Sequence, residues 1–199
     1  MIAIFDYGAG NLRSVQNTLS ELACEYTLVN NAAGLRAAST IILPGVGHFG
    51  QMMRALDALE VRETLRQRIA AGVPFLGICL GLQALFETSE EAPEVRGLGV
   101  FPGAVRRFPA AARVPHMGWN ELAPRPSSRL VRNLAARPFV YFAHSYYVPE
   151  NERASALCTY EVPYTAALES ANVYGVQFHP EKSGAVGLRI VKNFLELSC

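Results

Sequence analysis

The sequence has few cysteines, no block of like charge and no long apolar run, and each lack excludes a class of protein. Cys24, Cys79, Cys158 and Cys199 are spread along 199 residues with no C-x-x-C pair. That spacing excludes a disulfide framework and a zinc knuckle and fits a reduced, cytoplasmic chain. Lysine plus arginine (18) nearly balance aspartate plus glutamate (17), so no field of one sign favours nucleic acid or an anionic membrane surface. No stretch reaches the roughly 20 apolar residues that span a bilayer. The opening Met1-Ile-Ala-Ile-Phe-Asp6 has no basic region of the kind that begins a secretory signal. Repeats and low-complexity tracts are also missing, so no domain boundary is marked and residues 1–199 read as one domain. Small molecules or another protein remain as ligands.

What is present is an alternation. Apolar β-type runs end in glycine-rich turns and lead into helical patterns: Ile2 to Phe5 before Leu12 to Ala23, and Thr40 to Leu43 before Phe49 to Leu59. Val73 to Ile78 is a third strand, apolar throughout as a strand buried on both faces should be, and Leu80 to Phe86 is its helix. From Gly97 the texture changes to short strands separated by proline turns at Pro102, Pro109, Pro115, Pro124 and Pro138. A last strand, Val173 to Phe178, precedes a helix from Val186 to Leu197. The pattern predicts an α/β fold with a central, mostly parallel (mixed) sheet flanked by helices and a β-rich second half.

Chemistry concentrates at strand ends. In Gly77-Ile-Cys-Leu-Gly81 a cysteine sits between two glycines where a buried strand turns into a helix, the setting of a nucleophile elbow. The helix start there would favour a thiolate on Cys79; the plainer reading is a core cysteine. In Gln177-Phe-His-Pro-Glu181 a carboxylate follows His179 by two residues, and extended geometry puts both side chains on one side. Glu181 would then fix the imidazole tautomer and leave the other nitrogen to exchange a proton with sulfur. His144 competes as the base but has no carboxylate at comparable spacing.

Gly45, Gly47 and Gly50 satisfy a dinucleotide-binding G-x-G-x-x-G pattern, yet the region that should supply its carboxylate is helical in pattern, with Glu60 and Glu63 on it. The better reading is a backbone that offers an N–H to an oxyanion, with the N–H of Leu80 as second donor. The turns at Gly8, Gly45, Cys79 and His179 all follow the carboxyl ends of predicted strands, where open α/β sheets form their crevices.

Pro44-Gly-Val-Gly47, Gly77-Ile-Cys-Leu-Gly-Leu-Gln83 and Gln177-Phe-His-Pro-Glu-Lys182 resemble class I, triad-type glutamine amidotransferases. Asp6-Tyr-Gly-Ala-Gly-Asn-Leu-Arg-Ser-Val15, Pro115-His-Met-Gly-Trp-Asn120, Tyr141-Phe-Ala-His-Ser-Tyr146 and His179-Pro-Glu-Lys-Ser183 are similar to the glutaminase subunits of imidazole glycerol phosphate synthases, in histidine biosynthesis. Val46 and the Asp-Tyr-Gly opening fit neither the anthranilate nor the vitamin B6 relatives.

The resemblance implies that Cys79 attacks a glutamine amide, that His179 moves the proton and that Glu181 orients His179. It implies an oxyanion hole at Gly45, Val46, Gly47 and Leu80, and substrate contacts from Gly47, Gln83, Glu91, Ser145 and Tyr146. Within the acidic cluster Glu87, Glu90 and Glu91, the carboxylate that faces substrate is not fixed by sequence. The implied partner is a β/α-barrel cyclase subunit, joined as a heterodimer through Asn11, Met117, Trp119, Tyr141 and Lys182; Trp119 is open to a core or an interface place. No metal and no cofactor is implied. His48, Gly50-Gln-Met52 and Gly184 depart from the usual pattern. A non-catalytic binding or thiol redox-sensing protein on the same fold is the alternative from another class.

Overall fold

A computed structural model describes residues 1–9 and 11–198; Gly10, inside the Asp6–Val15 motif, and Cys199 lie outside the described residues. The first half alternates: β1 (Ile2–Phe5), α1 (Leu12–Glu21), β2 (Tyr26–Val29), α2 (Ala32–Ala37), β3 (Thr40–Gly45), α3 (Phe49–Ala58), α4 (Arg62–Ala70), β4 (Phe75–Cys79) and α5 (Leu80–Gln83). Strands then take over: β5 (Phe86–Ser89), β6 (Phe101–Arg107), β7 (His116–Glu121), β8 (Ala123–Pro124), β9 (Phe139–His144), β10 (Tyr146–Tyr147), β11 (Ala154–Tyr160), β12 (Val162–Ser170) and β13 (Val173–Val176). A 3₁₀ turn at Pro180–Lys182 leads into the closing helix α6 (Gly184–Leu197).

The main sheet runs β2-β1-β3-β4-β13-β12-β11-β8. From β2 to β13 neighbours pair in parallel, and β12, β11 and β8 continue the sheet antiparallel. Two small sheets, β10-β6-β5 and β7-β9, carry the rest of the second half. The apolar runs are continuous because both faces are covered. Phe5, Ile41 and Leu43 pack with Phe49, Met53 and Leu65, whereas Ile4, Ile42 and Leu76 pack on the other face with Val15, Leu19, Ile190 and Phe194. The expected α/β mixed sheet with its β-rich second half is therefore what the chain forms.

Several boundaries differ for local reasons. Helix α1 stops at Glu21, and Ala23 then takes a positive φ of 53°. Helix α5 has only 4 residues, not the predicted run to Phe86. The chain returning through Leu98 and Val100 takes the Ala84 and Leu85 carbonyls (2.7 and 2.8 Å), which a longer helix would need. Pro102 and Pro124 lie inside β6 and β8 rather than between strands. β8 is the terminal strand of its sheet, and the β5–β6 ladder breaks register between Phe86 and Thr88. Glu60 sits in the α3–α4 turn with φ 54°, not on a helix.

Candidate active site

β3, β4 and β13 end side by side, with Gly45 level with Cys79 and Val176 level with Ile78. The loops beyond these ends therefore bring Val46, Gly47, Cys79 and His179 to one edge, on a cavity of about 280 Å³. The crevice lies where parallel α/β sheets place their ligands.

Cys79 turns the chain at φ 54°, ψ −106°, a backbone conformation that costs a non-glycine residue of order 1–3 kcal/mol. Interlocking glycines permit the turn. A Cβ on Gly45 would lie 2.7 Å from the Gly81 nitrogen, one on Gly77 would lie 2.5 Å from the Gly81 oxygen, and one on Gly81 would strike the Leu43 carbonyl. β3, β4 and α5 thus approach through their bare backbones, and the cysteine is pushed to the edge of the cavity.

His179 is fixed from three directions. Its amide donates to the Tyr141 carbonyl (2.9 Å), and its carbonyl accepts from the Ser183 hydroxyl (2.6 Å). Ser183 Oγ also accepts from the Tyr141 amide (3.0 Å), which staples β9 to the turn. Nδ1 lies 2.8 Å from Glu181 Oε1. The two side chains meet, but not through the predicted extended geometry: residues 180–182 form a 3₁₀ turn that brings the Glu181 carboxylate back to Nδ1. Burial opposes the charged imidazolium, yet hydrogen bonds to Cys79 and Glu181 and their charges outweigh it, and His179 is pushed up to about 10. The other carboxylate oxygen, Glu181 Oε2, is buried with no partner among the described residues.

His144 also lines the cavity, but as part of a different arrangement. Nδ1 lies 2.8 Å from the Tyr146 carbonyl, which can only accept, so this nitrogen carries the proton. Nε2 faces His116 Nδ1 and the Tyr164 hydroxyl, each at 3.3 Å. Burial outweighs the Tyr146 bond and, with smaller contributions from His116 and His179, brings His144 down to about 3, and burial brings His116 down to about 4. His144 is thus held neutral with its Nδ1 proton committed to a carbonyl, in contrast to His179.

Among the residues expected to contact substrate, Gly47, Gln83, Glu91, Ser145 and Tyr146 all line the cavity. Gln83 is buried and commits its amide nitrogen to the Tyr146 carbonyl (2.9 Å) and to Gln177 Oε1 (3.1 Å). Glu91 accepts from the Phe49 amide at the start of α3 (2.7 Å). The acidic cluster is divided: Glu90 is held by Arg106 and the Arg107 amide, and Glu87 accepts from the Gly103 amide. Only Glu91 of the three lines the cavity. His48, one of the departures in the loop, caps α3 by accepting from the Gly50 amide (3.1 Å).

Leu80 and Gly47 lie on the cavity, and Gly47 has φ 89°. Val46 lines the cavity too, but its N–H points to the Tyr7 hydroxyl (3.1 Å) and is not available to an oxyanion in this arrangement. Gly45 lies in β3 and contributes close backbone approach.

Of the residues expected at a partner interface, Met117 and Lys182 line the mouth and Asn11 stands at the start of α1, off the cavity wall. Trp119 is 57% exposed, which removes the core reading. It lies edge-on to Tyr141 (6.2 Å), and Lys182 Nζ stands 5.8 Å from the Tyr141 ring. Tyr7, Gln177 and Ser183, all within quoted motifs, had no role assigned from the sequence; their partners lie 39, 98 and 42 residues away, and no local pattern signals such contacts.

Residues 3–197 match the family described as glutamine amidotransferase class-I. Among similar proteins are the imidazole glycerol phosphate synthase subunits HisH of Methanothermobacter thermautotrophicus, 48% identical over 99% of this chain and 98% of that one, and of Deinococcus radiodurans, 46% identical over 97% and 92%. The fold is similar to a crystal structure of a glutamine amidotransferase, with a TM-score of 0.78 at 21% identity over 99% of this chain and 98% of that one. It is also similar to a chain in the structure of PurLQS from Thermotoga maritima, with a TM-score of 0.76 at 20% identity over 98% and 97%.

Proposed function

The chain belongs to the class-I glutamine amidotransferase family, and from that premise we propose that residues 1–199 act as the glutaminase domain of an imidazole glycerol phosphate synthase in the cytoplasm. Cys79 attacks the glutamine amide, ammonia leaves, and water hydrolyses the γ-glutamyl thioester to glutamate. His179 protonates the departing ammonia and then activates the water, while Glu181 holds its ring. Developing negative charge on the carbonyl oxygen falls to the N–H groups of Leu80 and Gly47. Glu91, Ser145 and Tyr146 bind the polar ends of the substrate. Among the described residues no helix is long and apolar enough to cross a membrane.

The observation that carries this reading is the His179–Glu181 contact at 2.8 Å on the wall that also presents Cys79. A carboxylate-oriented, buried imidazole beside a thiol is the arrangement that makes a sulfur nucleophile and a proton shuttle.

The ammonia must not escape into neutral water, where protonation removes its nucleophilicity. The exposed Met117 and Trp119, with Tyr141, Lys182 and Asn11, form the surface on which we place a β/α-barrel cyclase subunit as heterodimer partner. The test is ammonia release from glutamine by the chain with and without such a cyclase and its nucleotide substrate. The reading predicts release in the assembled complex that Cys79→Ala and His179→Ala abolish. No release from a correctly assembled complex contradicts it, and stable assembly only with an anthranilate or vitamin B6 synthase partner overturns the pathway.

A further inference from the structure

Gln177 is fully buried beside the sulfur of Cys79, with Nε2 3.6 Å from Sγ. Which end of its amide faces the sulfur is settled by neighbours. The Tyr146 carbonyl can only accept, so the group of Gln83 that meets it at 2.9 Å is the amide nitrogen. The same nitrogen lies 3.1 Å from the other amide and donates there too, so the atom it meets is Gln177 Oε1. The remaining end of Gln177, an N–H donor, is thereby turned onto Cys79. His144 Nδ1 donates to the same Tyr146 carbonyl at 2.8 Å and fixes the far end of the chain.

We infer that Gln177 is a further catalytic residue, the hydrogen-bond donor that stabilises the Cys79 thiolate from inside the fold, with its amide oriented by Gln83 and the Tyr146 carbonyl. The inference rests on the reading of Cys79 as nucleophile. The Ala143 carbonyl, 4.0 Å from the sulfur, can only accept, so Gln177 is a donor that differs in kind both from it and from His179: an amide cannot take the proton, and it favours the charged form without competing for the shuttle. Gln83 acquires a role besides substrate contact, since any side chain lacking its nitrogen leaves the Gln177 amide free to turn its oxygen toward a negative sulfur.

The test is alkylation of Cys79 by iodoacetamide in the full chain without glutamine, read on the Cys79 peptide by mass spectrometry. Gln177→Met and Gln177→Leu each remove the donor while keeping a side chain of comparable volume. Both variants are expected to slow alkylation by about tenfold, as loss of a hydrogen bond to a charged group implies. A packing role predicts a near-native rate in the variant that best keeps the volume. A native rate for either variant overturns the inference, and if Gln177→Met does not fold, Gln177→Leu alone decides. In the assembled complex kcat should fall while KM for glutamine stays within about twofold; a raised KM at native kcat contradicts the role. Slowed alkylation in a chain that never releases ammonia would leave this inference standing and remove the glutaminase reading.

Discussion

The hydroxyl of Tyr7 engages both backbone polar groups of Val46, accepting from its N–H at 3.1 Å and donating to its carbonyl oxygen at 3.2 Å. The contact joins the loop after β1 to the loop after the neighbouring strand β3, close to Cys79. Burial, together with the nearby Cys79 and Asp6 charges, raises the Tyr7 phenol against the opposing Val46 bond, so the hydroxyl keeps its proton at neutral pH. The loop that should offer an oxyanion donor is thus latched with one donor occupied. Tyr7→Phe is expected to release it and raise glutamine hydrolysis by the chain without its partner about fivefold, the equivalent of one neutral hydrogen bond of about 1 kcal/mol. Partner-free ammonia release measures this, and an unchanged or lower rate contradicts the latch.

Cys79 stores backbone strain at φ 54°. Cys79→Gly should therefore be more stable than Cys79→Ala by about 1 kcal/mol, because only glycine adopts that conformation without penalty. Urea unfolding of the two variants provides the comparison, and equal midpoints would show that the turn is not strained.

Gly45→Ala should be severe. Its new Cβ would sit 2.7 Å from both the Gly81 nitrogen and Leu80 Cβ, so β3 must move from the Cys79 turn. We expect loss of at least about 100-fold in kcat, as catalytic groups misplaced by an ångström lose that much. Near-native turnover would mean that the turn tolerates a wider spacing.

His116 and His144 stay neutral in the fold, at about 4 and about 3, against an ordinary value of 6.5. Below 6.5 the unfolded chain gains protons that the fold refuses. Their contribution is complete above that pH and is lost as pH falls toward 4 and then 3. His179 has the opposite sign, since its raised value makes its contribution present at low pH and lost on the alkaline side as pH rises through about 10. Urea midpoints should drop between pH 7.5 and pH 5, and His144→Gln, which can still donate to the Tyr146 carbonyl, should flatten that drop. A midpoint constant over this range contradicts the assignment.

The strands that carry the site were legible because β1, β3, β4 and β13 are apolar on both faces, and the glycines around Cys79 marked the sharp turn. Helix α5 was overextended because Leu80, Leu82, Ala84, Leu85 and Phe86 form one dense apolar run, and periodicity cannot separate a short buried helix from the strand that follows. Strand β2, half exposed at the sheet edge, and α2, 6 residues long, left too short a pattern to read. At the site, the pairing of His179 with Glu181 was readable from spacing, whereas its 3₁₀ geometry depends on the Ser183 staple to β9. Tyr7 on Val46, and Gln177 on Cys79, arise only when parallel strands set distant residues side by side.

The central claim is that Cys79 carries the glutamyl group, and rapid acid quench of the assembled complex during turnover of labelled glutamine tests it most directly. The account predicts a γ-glutamyl label on the Cys79 peptide, transient in the native chain and absent in Cys79→Ala. Ammonia release with no label on Cys79, or sustained release by Cys79→Ala, would contradict it.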